Sequence, residues 1–498
     1  MPSMIDSWRG RAPSPLSGVL VAGATIGSLS MPTAMGSSGG RWDLAGLALA
    51  SACLLALLIR ARGGVRPPIT LVVVPMALLM AVAVIRPPDD VADLWMYRSQ
   101  GRVVAVHHQN PYRVSPATFP DDPTLEKTVR GRWHEAHSFY GPGMVTLAAS
   151  TALVTGTNDL AHRIVWQSMC AGAVAVAAWL VWRRTRRSDA VACIGLNPLV
   201  ISSVVHEAHI DALIAVCILA GALLVERRRF VAGVAMLTLG ALFKVPLALV
   251  PAAALVVIAR RNGWRAAIPA GLVSAVLFLA PMAAYGGRVV LEAVEKTSHW
   301  FGATSPWIVM TRPRFVLERR IDDFPGLTPD SLLPTVALAI MVLLVAAIAL
   351  RHSHPRLRPS VGDIDPAATA IVLVTAVPLL LLPKPTFWAL GSLAVVVALI
   401  AGSRVGILAV AATLAAALAM GIITLVRHIV FGFFAGEGPP RETLVAWLEW
   451  AGPGAAIAAL VLAWATLGFA VWDVGRKDRP ADAERPLAPL SPRGESNS

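Results

Sequence analysis

The stretch LLPTVALAIMVLLVAAIAL, residues 332–350, decides the fold class of this chain. It holds no charged residue, Arg351 follows it at once, and its length matches the roughly 20 apolar residues that cross a bilayer as a helix. A similar run, ITLVVVPMALLMAVAVI at 69–85, precedes Arg86, and more such runs follow. Backbone groups in lipid must be satisfied within each segment, and the runs lack strand-like alternation. The sequence therefore predicts an all-α polytopic membrane protein with roughly 12–15 transmembrane helices.

Composition and charge support a membrane protein and argue against a nucleic-acid-binding protein. The chain is 56% hydrophobic and 15% charged, and its net charge is +13. The basic residues lie in short bursts between apolar runs, which is typical of cytoplasmic loops. No basic groove with stacking aromatic residues accompanies them, so we expect no nucleic-acid partner. The bursts are Arg60, Arg62 and Arg66; Arg183, Arg184, Arg186 and Arg187; Arg227 to Arg229; Arg260, Arg261 and Arg265; and Arg351, Arg356 and Arg358.

The placement of these bursts predicts the organisation of the chain. With the bursts in the cytoplasm, residues 87–141 form a large first extracytoplasmic loop and residues 286–331 a second one. The membrane domain then extends over residues 1–472. Residues 473–498 are rich in Pro, Arg, Asp and Glu and read as a disordered cytoplasmic tail. The four cysteines lie in or beside apolar runs at no ligand spacing, which predicts small buried side chains.

One stretch leaves the number of crossings open. Residues 142–156 and 164–182 look like two spans, but two crossings would place the Arg183 to Arg187 burst outside. Either residues 142–156 only dip into the membrane, or residues 190–225 cross once. We favour the first alternative.

The first outer loop carries the residues best suited to chemistry. Asp89, Asp90 and Asp93 follow a span directly, so they lie at the membrane face. Asp93 and Tyr97 are four residues apart, which places them on one face of a helix. A carboxylate held there can act as general base for a hydroxyl group. The alternative is a solvated acidic loop anchored by interfacial Trp and Tyr side chains.

The motifs of this loop, in their order, resemble a known family. They resemble the actinobacterial polyprenol-phosphate-mannose-dependent α-1,6-mannosyltransferases of the GT-C superfamily. The likeness covers residues 87 to about 251. The residues that carry it are Asp93, Tyr97, Gly101 and Arg102; Asn110, Pro111 and Tyr112; Trp133; Tyr140, Gly141 and Pro142; Asn197 to Leu199; His209 and Asp211; and Lys244.

The resemblance implies a fold and a reaction. It implies a GT-C-like helical bundle and an inverting transfer of a sugar, mannose by likeness, from a polyprenyl-phosphate donor to a lipid-linked or polysaccharide acceptor of the cell wall. Asp93 matches the position of the catalytic base, and Asp89 or Asp90 is the alternative candidate for that role. The expected substrate-binding residues are Tyr97, Arg102, Asn110, Tyr112, Trp133, Tyr140, His209, Asp211 and Lys244. The location implied is the bacterial cytoplasmic membrane, with the active site facing outward among membrane lipids.

Two segments depart from the family pattern. HEAHSF (134–139) stands where similar proteins carry small polar residues and proline, and PKPTFW (383–388) only approximates a Pro-Trp-Tyr element. These differences bear on the sugar and the acceptor more than on the reaction class.

A second polar group interrupts an apolar run at His206, Glu207, His209 and Asp211. Ionisable residues in such a setting are functional candidates, and these could bind sugar hydroxyls or the phosphate. A satisfied polar cluster at a helix turn is the alternative. With Asp93 they could also hold a divalent metal, and the sequence indicates no other cofactor.

Two lysines are candidates for holding the leaving phosphate. Lys244 precedes Pro246 between two short apolar halves, an arrangement that often lines a binding site; Lys384 is a weaker candidate. Snorkelling to the interface is the alternative for both. His299 and Trp300 of the second outer loop could cover a sugar or anchor the loop.

A glycosyltransferase is therefore the function that the sequence favours. The alternative is a transporter or flippase for lipid-linked glycans. A transporter favours matched halves with broken helices at corresponding positions. This chain instead concentrates its polar residues in one early outer loop.

Overall fold

The structure is a computed structural model. It describes residues 14–30, 40–88, 92–129, 133–298, 333–354, 364–381, 387–403, 406–415 and 417–418. Several predicted features lie outside these residues: Asp89, Asp90, Lys384, His299 and Trp300, the second outer loop beyond 298, and the tail 473–498.

The described residues are mainly helical and contain no β-strand. The first eight helices are α1 Pro15–Ser30, α2 Gly40–Arg62, α3 Ile69–Ile85, α4 Ala92–Ala105, α5 Glu126–Val129, α6 Pro142–Thr155, α7 Asp159–Thr185 and α8 Ser188–Gly195. A π-helical segment, Val200–His206, follows. The remaining helices are α9 Asp211–Glu226, α10 Phe230–Phe243, α11 Leu249–Asn262, α12 Trp264–Ala284, α13 Arg288–Ser298, α14 Leu333–His352, α15 Pro366–Leu381, α16 Phe387–Val397 and α17 Gly406–Ala415.

Several of these helices are suited to cross a membrane. Among the described residues, 5 helices are long and apolar enough to do so: Ala45–Arg62, Asp159–Thr185, Val245–Asn262, Trp264–Ala284 and Thr335–His352. α8 and the π-helical segment, bent by 56°, make a sixth if they form one span, and shorter apolar helices of 10–17 residues accompany them. The predicted class, an all-α polytopic membrane protein, is confirmed. The total of roughly 12–15 spans stays a prediction for the whole chain.

The charged loops gather at one end of the bundle. Arg184, at the end of α7, forms two 2.7 Å hydrogen bonds with Glu226, at the end of α9. Arg187 pairs with the buried Asp189 at 2.6 Å, and Arg66 approaches the same carboxylate at 3.6 Å. We call this the arginine end. The opposite end, where α3 ends and α7 and α9 begin, is the site end.

Both ends of α6 lie at the site end. Before α6, the Gly141 amide donates to the carbonyl of Phe243, the last residue of α10, at 3.0 Å. After α6, Asp159 at the start of α7 pairs with Arg98 of α4 at 2.6 Å. This geometry is the one expected if residues 142–156 only dip into the membrane, the favoured alternative, which stays a prediction. It leaves the Arg183 to Arg187 burst at the arginine end with the other bursts.

Two glycines between residues 87 and 141 allow backbones to touch. A Cβ on Gly101 would lie 2.2 Å from the carbonyl oxygen of Ala148, so α4 and α6 approach closely only because Gly101 has no side chain. A Cβ on Gly141 would lie 2.1 Å from the carbonyl oxygen of Leu242. The first contact brings α4 against α6, and the second brings the start of α6 against the end of α10. They explain why glycine stands at these two motif positions.

Candidate active site

Asp93 lies in the first turn of α4, the helix that follows the apolar helix α3, and its side chain is 12% exposed. The Tyr140 hydroxyl donates to Asp93 Oδ2 at 3.2 Å. The Tyr97 hydroxyl lies 3.4 Å from the Tyr140 hydroxyl oxygen, to which it can donate in turn. The predicted common face of Asp93 and Tyr97 thus meets Tyr140, and the three side chains form a chain of polar contacts.

Aromatic packing fixes this chain. The Tyr97 ring lies 4.8 Å from the ring of the buried Trp166 and meets the Tyr140 ring edge-on at 5.6 Å, between centroids. Burial and the nearby Asp93 carboxylate raise the pKa of Tyr140. Tyr140 therefore keeps its proton at neutral pH and acts as a donor to Asp93.

His209 faces Asp93 from a turn that follows the π-helical segment. Its Nε2 lies 3.5 Å from Asp93 Oδ2. On the other side of the ring, Nδ1 lies 2.6 Å from the carbonyl oxygen of Ser203 and 3.5 Å from Glu207 Oε2. Burial disfavours the charged imidazolium, but Asp93, Glu207 and Asp211 outweigh it and raise the pKa of His209. The imidazole is therefore held between backbone and carboxylates.

The backbone of this turn is strained. Ala208, between Glu207 and His209, is buried and has a left-handed φ of 59°, which costs a non-glycine residue roughly 1–2 kcal/mol. The π-helical segment before it is a conformation that recurs at functional sites. The Glu207 carboxyl group is part of this turn. Burial raises its pKa to about 7; Asp93 adds to the rise, and His209 acts in the opposite direction. Surrounding structure thus holds an unfavourable turn that aims His209 at Asp93.

Asp211 and Lys244 form an ion pair beside this group. Asp211 Oδ1 lies 3.2 Å from Lys244 Nζ, with the carboxylate side chain 1% exposed and the lysine side chain 19% exposed. Lys244 has an extended backbone between α10 and the 3-10 turn Val245–Ala248. The break predicted at Pro246 is therefore present. The structure brings together six predicted site residues: Asp93, Tyr97, Tyr140, His209, Asp211 and Lys244.

Arg102, predicted to bind substrate, is directed elsewhere. Its Nε lies 2.9 Å from Asp122 Oδ2, and His107 Nε2 lies 2.8 Å from the same atom. Burial acts against the Asp122 carboxylate, but the Thr124 amide and hydroxyl, His107 and Arg102 outweigh it and lower the pKa of Asp122 to about 2. A substrate contact for Arg102 stays a prediction; the contacts it makes here anchor the loop between α4 and α6.

Asn110, Tyr112 and Trp133 also support the loop. Asn110 accepts from the Tyr112 amide at 3.0 Å and donates to the Tyr285 carbonyl at 2.8 Å. The Tyr112 hydroxyl donates to the carbonyl of Tyr140 at 2.6 Å. The Trp133 ring lies 5.5 Å from that of Phe139, the neighbour of Tyr140. These contacts position the backbone around Tyr140. The predicted substrate contacts of Asn110, Tyr112 and Trp133 stay predictions.

Sequence reasoning missed two parts of the site. Trp166 packs against the Tyr97 ring. In the sequence it is one aromatic residue inside an apolar run, so nothing there marks it as part of the site. The Ser203 carbonyl that orients His209 is a backbone group, and only the π-helical geometry directs it there. Within the described ranges, no group of three or more His, Cys, Asp or Glu residues is placed to hold a metal ion.

The fold and the site define a polytopic helical membrane protein whose ionisable side chains meet at one end of the bundle. Residues 16–260 match the family model described as alpha-(1->6)-mannopyranosyltransferase, N-terminal domain. These residues are therefore similar to that family, which confirms the resemblance carried by the motifs and supports a mannosyltransferase activity. No curated protein and no solved structure matches the chain.

Proposed function

We propose that this protein transfers mannose, with inversion, from a polyprenyl-phosphate donor to a lipid-linked or cell-wall glycan. The family supports the sugar and the reaction class. The position of Asp93 supports a lipid-linked donor, because the carboxylate lies where membrane helices end. A donor whose tail stays in the bilayer can present its sugar phosphate there.

Asp93 is the proposed general base. As the acceptor oxygen attacks the anomeric carbon, its proton passes to the Asp93 carboxylate. The bond from that carbon to the phosphate oxygen breaks, and polyprenyl phosphate leaves with the electron pair. The observation that carries the proposal is a partly exposed carboxylate oriented by a tyrosine hydroxyl and an imidazole, since general-base catalysis needs a positioned acceptor of the proton.

Lys244 is the proposed partner of the leaving phosphate. The phosphate gains negative charge as the bond breaks, and a fixed cation stabilises charge that develops in the transition state. Lys244 is partly exposed and Asp211 holds its ammonium group. The site end thus offers a base and a cation on neighbouring elements.

The proposed face is the outer side of the bacterial cytoplasmic membrane. Arginine-rich loops face the cytoplasm in most membrane proteins. The site end lies opposite the loops around Arg66, Arg184 and Arg187. An outward site can reach both a lipid-linked donor and a cell-wall acceptor.

The test is mannosyl transfer by purified protein. Incubation with polyprenyl-phosphate mannose and short mannosides should extend the acceptor by one mannose. Asp93→Asn keeps the size of the side chain but removes the base, so turnover should fall on the order of 10²–10⁴-fold at equal thermal stability. Asp121→Asn, at an exposed loop carboxylate, is the matched control and should stay active.

Two results would contradict the proposal. Full activity of Asp93→Asn would remove Asp93 from the reaction. If wild-type protein transfers no mannose but moves the lipid-linked donor across liposome membranes, the transporter alternative replaces the enzyme.

A further inference from the structure

We infer that His209 is an imidazolium that positions Asp93 and keeps it ionised, so that the two side chains act as a pair in the proton transfer. The inference rests on the proposed function, because it assigns a role in that reaction. It differs from the role of sugar or phosphate ligand expected for His209.

The hydrogen bond on the far side of the ring sets the protonation of His209. A carbonyl oxygen only accepts, so the 2.6 Å contact from Nδ1 to the Ser203 carbonyl requires a proton on Nδ1. If the ring were neutral, Nε2 would then turn a lone pair toward the Asp93 carboxylate, 3.5 Å away. A second proton on Nε2 converts this repulsion into an ion pair.

The surroundings explain why Asp93 needs a cation. Asp93, Glu207 and Asp211 all act on the buried His209 ring. Crowded carboxylates and burial favour the protonated acid, which cannot take a proton from a hydroxyl. The lysine ammonium is held at Asp211, and among the described residues His209 places an imidazole nitrogen 3.5 Å from Asp93 Oδ2, where its protonated form supplies a cation. The ionisable groups of the described residues that face the pair are Tyr97, Tyr140, Cys170, Glu207, Asp211 and Lys244.

The proton balance of the step follows. Before transfer, His209 carries two protons and Asp93 none. The acceptor hydroxyl gives its proton to Asp93 as its oxygen bonds to the anomeric carbon, and polyprenyl phosphate leaves with one more negative charge. His209 keeps both protons throughout, so it acts as a positioning residue. Release of the Asp93 proton to solvent restores the pair.

Two amide substitutions of His209 distinguish the role of Nε2, which faces Asp93, from the role of Nδ1, which faces Ser203. In His209→Gln the amide nitrogen can take the place of Nε2, which keeps a neutral donor for Asp93. In His209→Asn it can take the place of Nδ1, which keeps the bond to Ser203 and loses Asp93. His352→Gln is the matched control, because His352 is also buried and its Nδ1 also contacts a backbone carbonyl, but it ends α14 beside Arg261 at the arginine end.

The measurements are kcat, KM for the donor and the pH profile of kcat/KM. His209→Asn should lower kcat roughly 10–100-fold, the value of a charge-assisted hydrogen bond, with little change in KM. His209→Gln should retain more activity, and its acidic limb should move up by about 1–3 pH units because Asp93 loses its cation. His352→Gln should match wild type in all three quantities.

A raised KM with an unchanged kcat would make His209 a substrate ligand and overturn the inference. Equal kcat and unchanged pH profiles in both variants would do the same. If the variants do not fold, ¹⁵N-histidine NMR of wild-type protein decides. As the pH rises past the ordinary histidine pKa, one ring should keep its second proton longer than the other histidines do, and the absence of such a ring overturns the pair. A wild type that transfers no mannose would instead contradict the proposed function.

Discussion

Replacement of Lys244 by methionine should destabilise the protein far more than replacement of its partner Asp211 by asparagine. The two side chains form one ion pair at 3.2 Å, but the carboxylate is 1% exposed and the lysine 19% exposed. Lys244→Met keeps the apolar stem and leaves a buried carboxylate without its cation. Asp211→Asn removes the buried charge, and the lysine can extend toward water or lipid headgroups.

The magnitudes follow from this asymmetry. Removal of one partner of a buried pair costs roughly 3–5 kcal/mol. Asp211 is the first residue of α9, and the helix N-terminus returns up to about 1 kcal/mol to a carboxylate there. Lys244→Met should therefore lower the free energy of unfolding by roughly 2–4 kcal/mol. Asp211→Asn should cost about 1 kcal/mol, the value of one hydrogen bond.

The assay is thermal unfolding in detergent of both single variants and the double variant. The double variant should be about as stable as Asp211→Asn, because the uncompensated charge is gone. Donor use is measured in parallel: Asp211→Asn, which keeps the lysine, should use the donor better than Lys244→Met. If Lys244→Met is as stable as wild type, or if the two single losses simply add, the pair does not hold the buried charge and the reasoning is refuted.

Three further predictions concern the loop, the packing and the membrane side. Asp122→Asn should cost about 2 kcal/mol at neutral pH. Since the folded pKa of Asp122 is lowered to about 2, the contribution should be present above pH ~4 and be lost as the pH falls toward 2; an acid titration of thermal stability that does not differ from wild type would contradict this. Gly101→Ala should cost roughly 1–3 kcal/mol or more because its Cβ meets backbone, whereas Gly172→Ala, with nothing within 4 Å, should be tolerated in the same unfolding assay. In a cysteine-silent background, Asp121→Cys should react with a membrane-impermeant thiol reagent in intact cells and Arg228→Cys only after the cells are opened; the reverse pattern would place the site in the cytoplasm.

The sequence predicted the candidate site in part. Motif order predicts six residues that the structure does bring together: Asp93, Tyr97, Tyr140, His209, Asp211 and Lys244. Arg102 came from the same motifs, yet it pairs with Asp122 in the loop. Motif membership does not separate a residue that meets the reacting groups from one that holds the loop in place, because both are fixed by the same fold.

The sequence by itself determined the class of the protein, and it predicts which end of the helices faces the cytoplasm. In lipid, a long apolar run satisfies its backbone hydrogen bonds by forming a helix. Bursts of arginine mark one end of those helices. Both signals are local, so they can be read along the chain. The roles within the site are not local: the bend of α8 against the π-helical segment, the left-handed Ala208 and the Ser203 carbonyl together aim His209 at Asp93, more than 100 residues away. Only the tertiary structure decides such a contact, because it depends on where several packed elements place backbone groups that every residue carries.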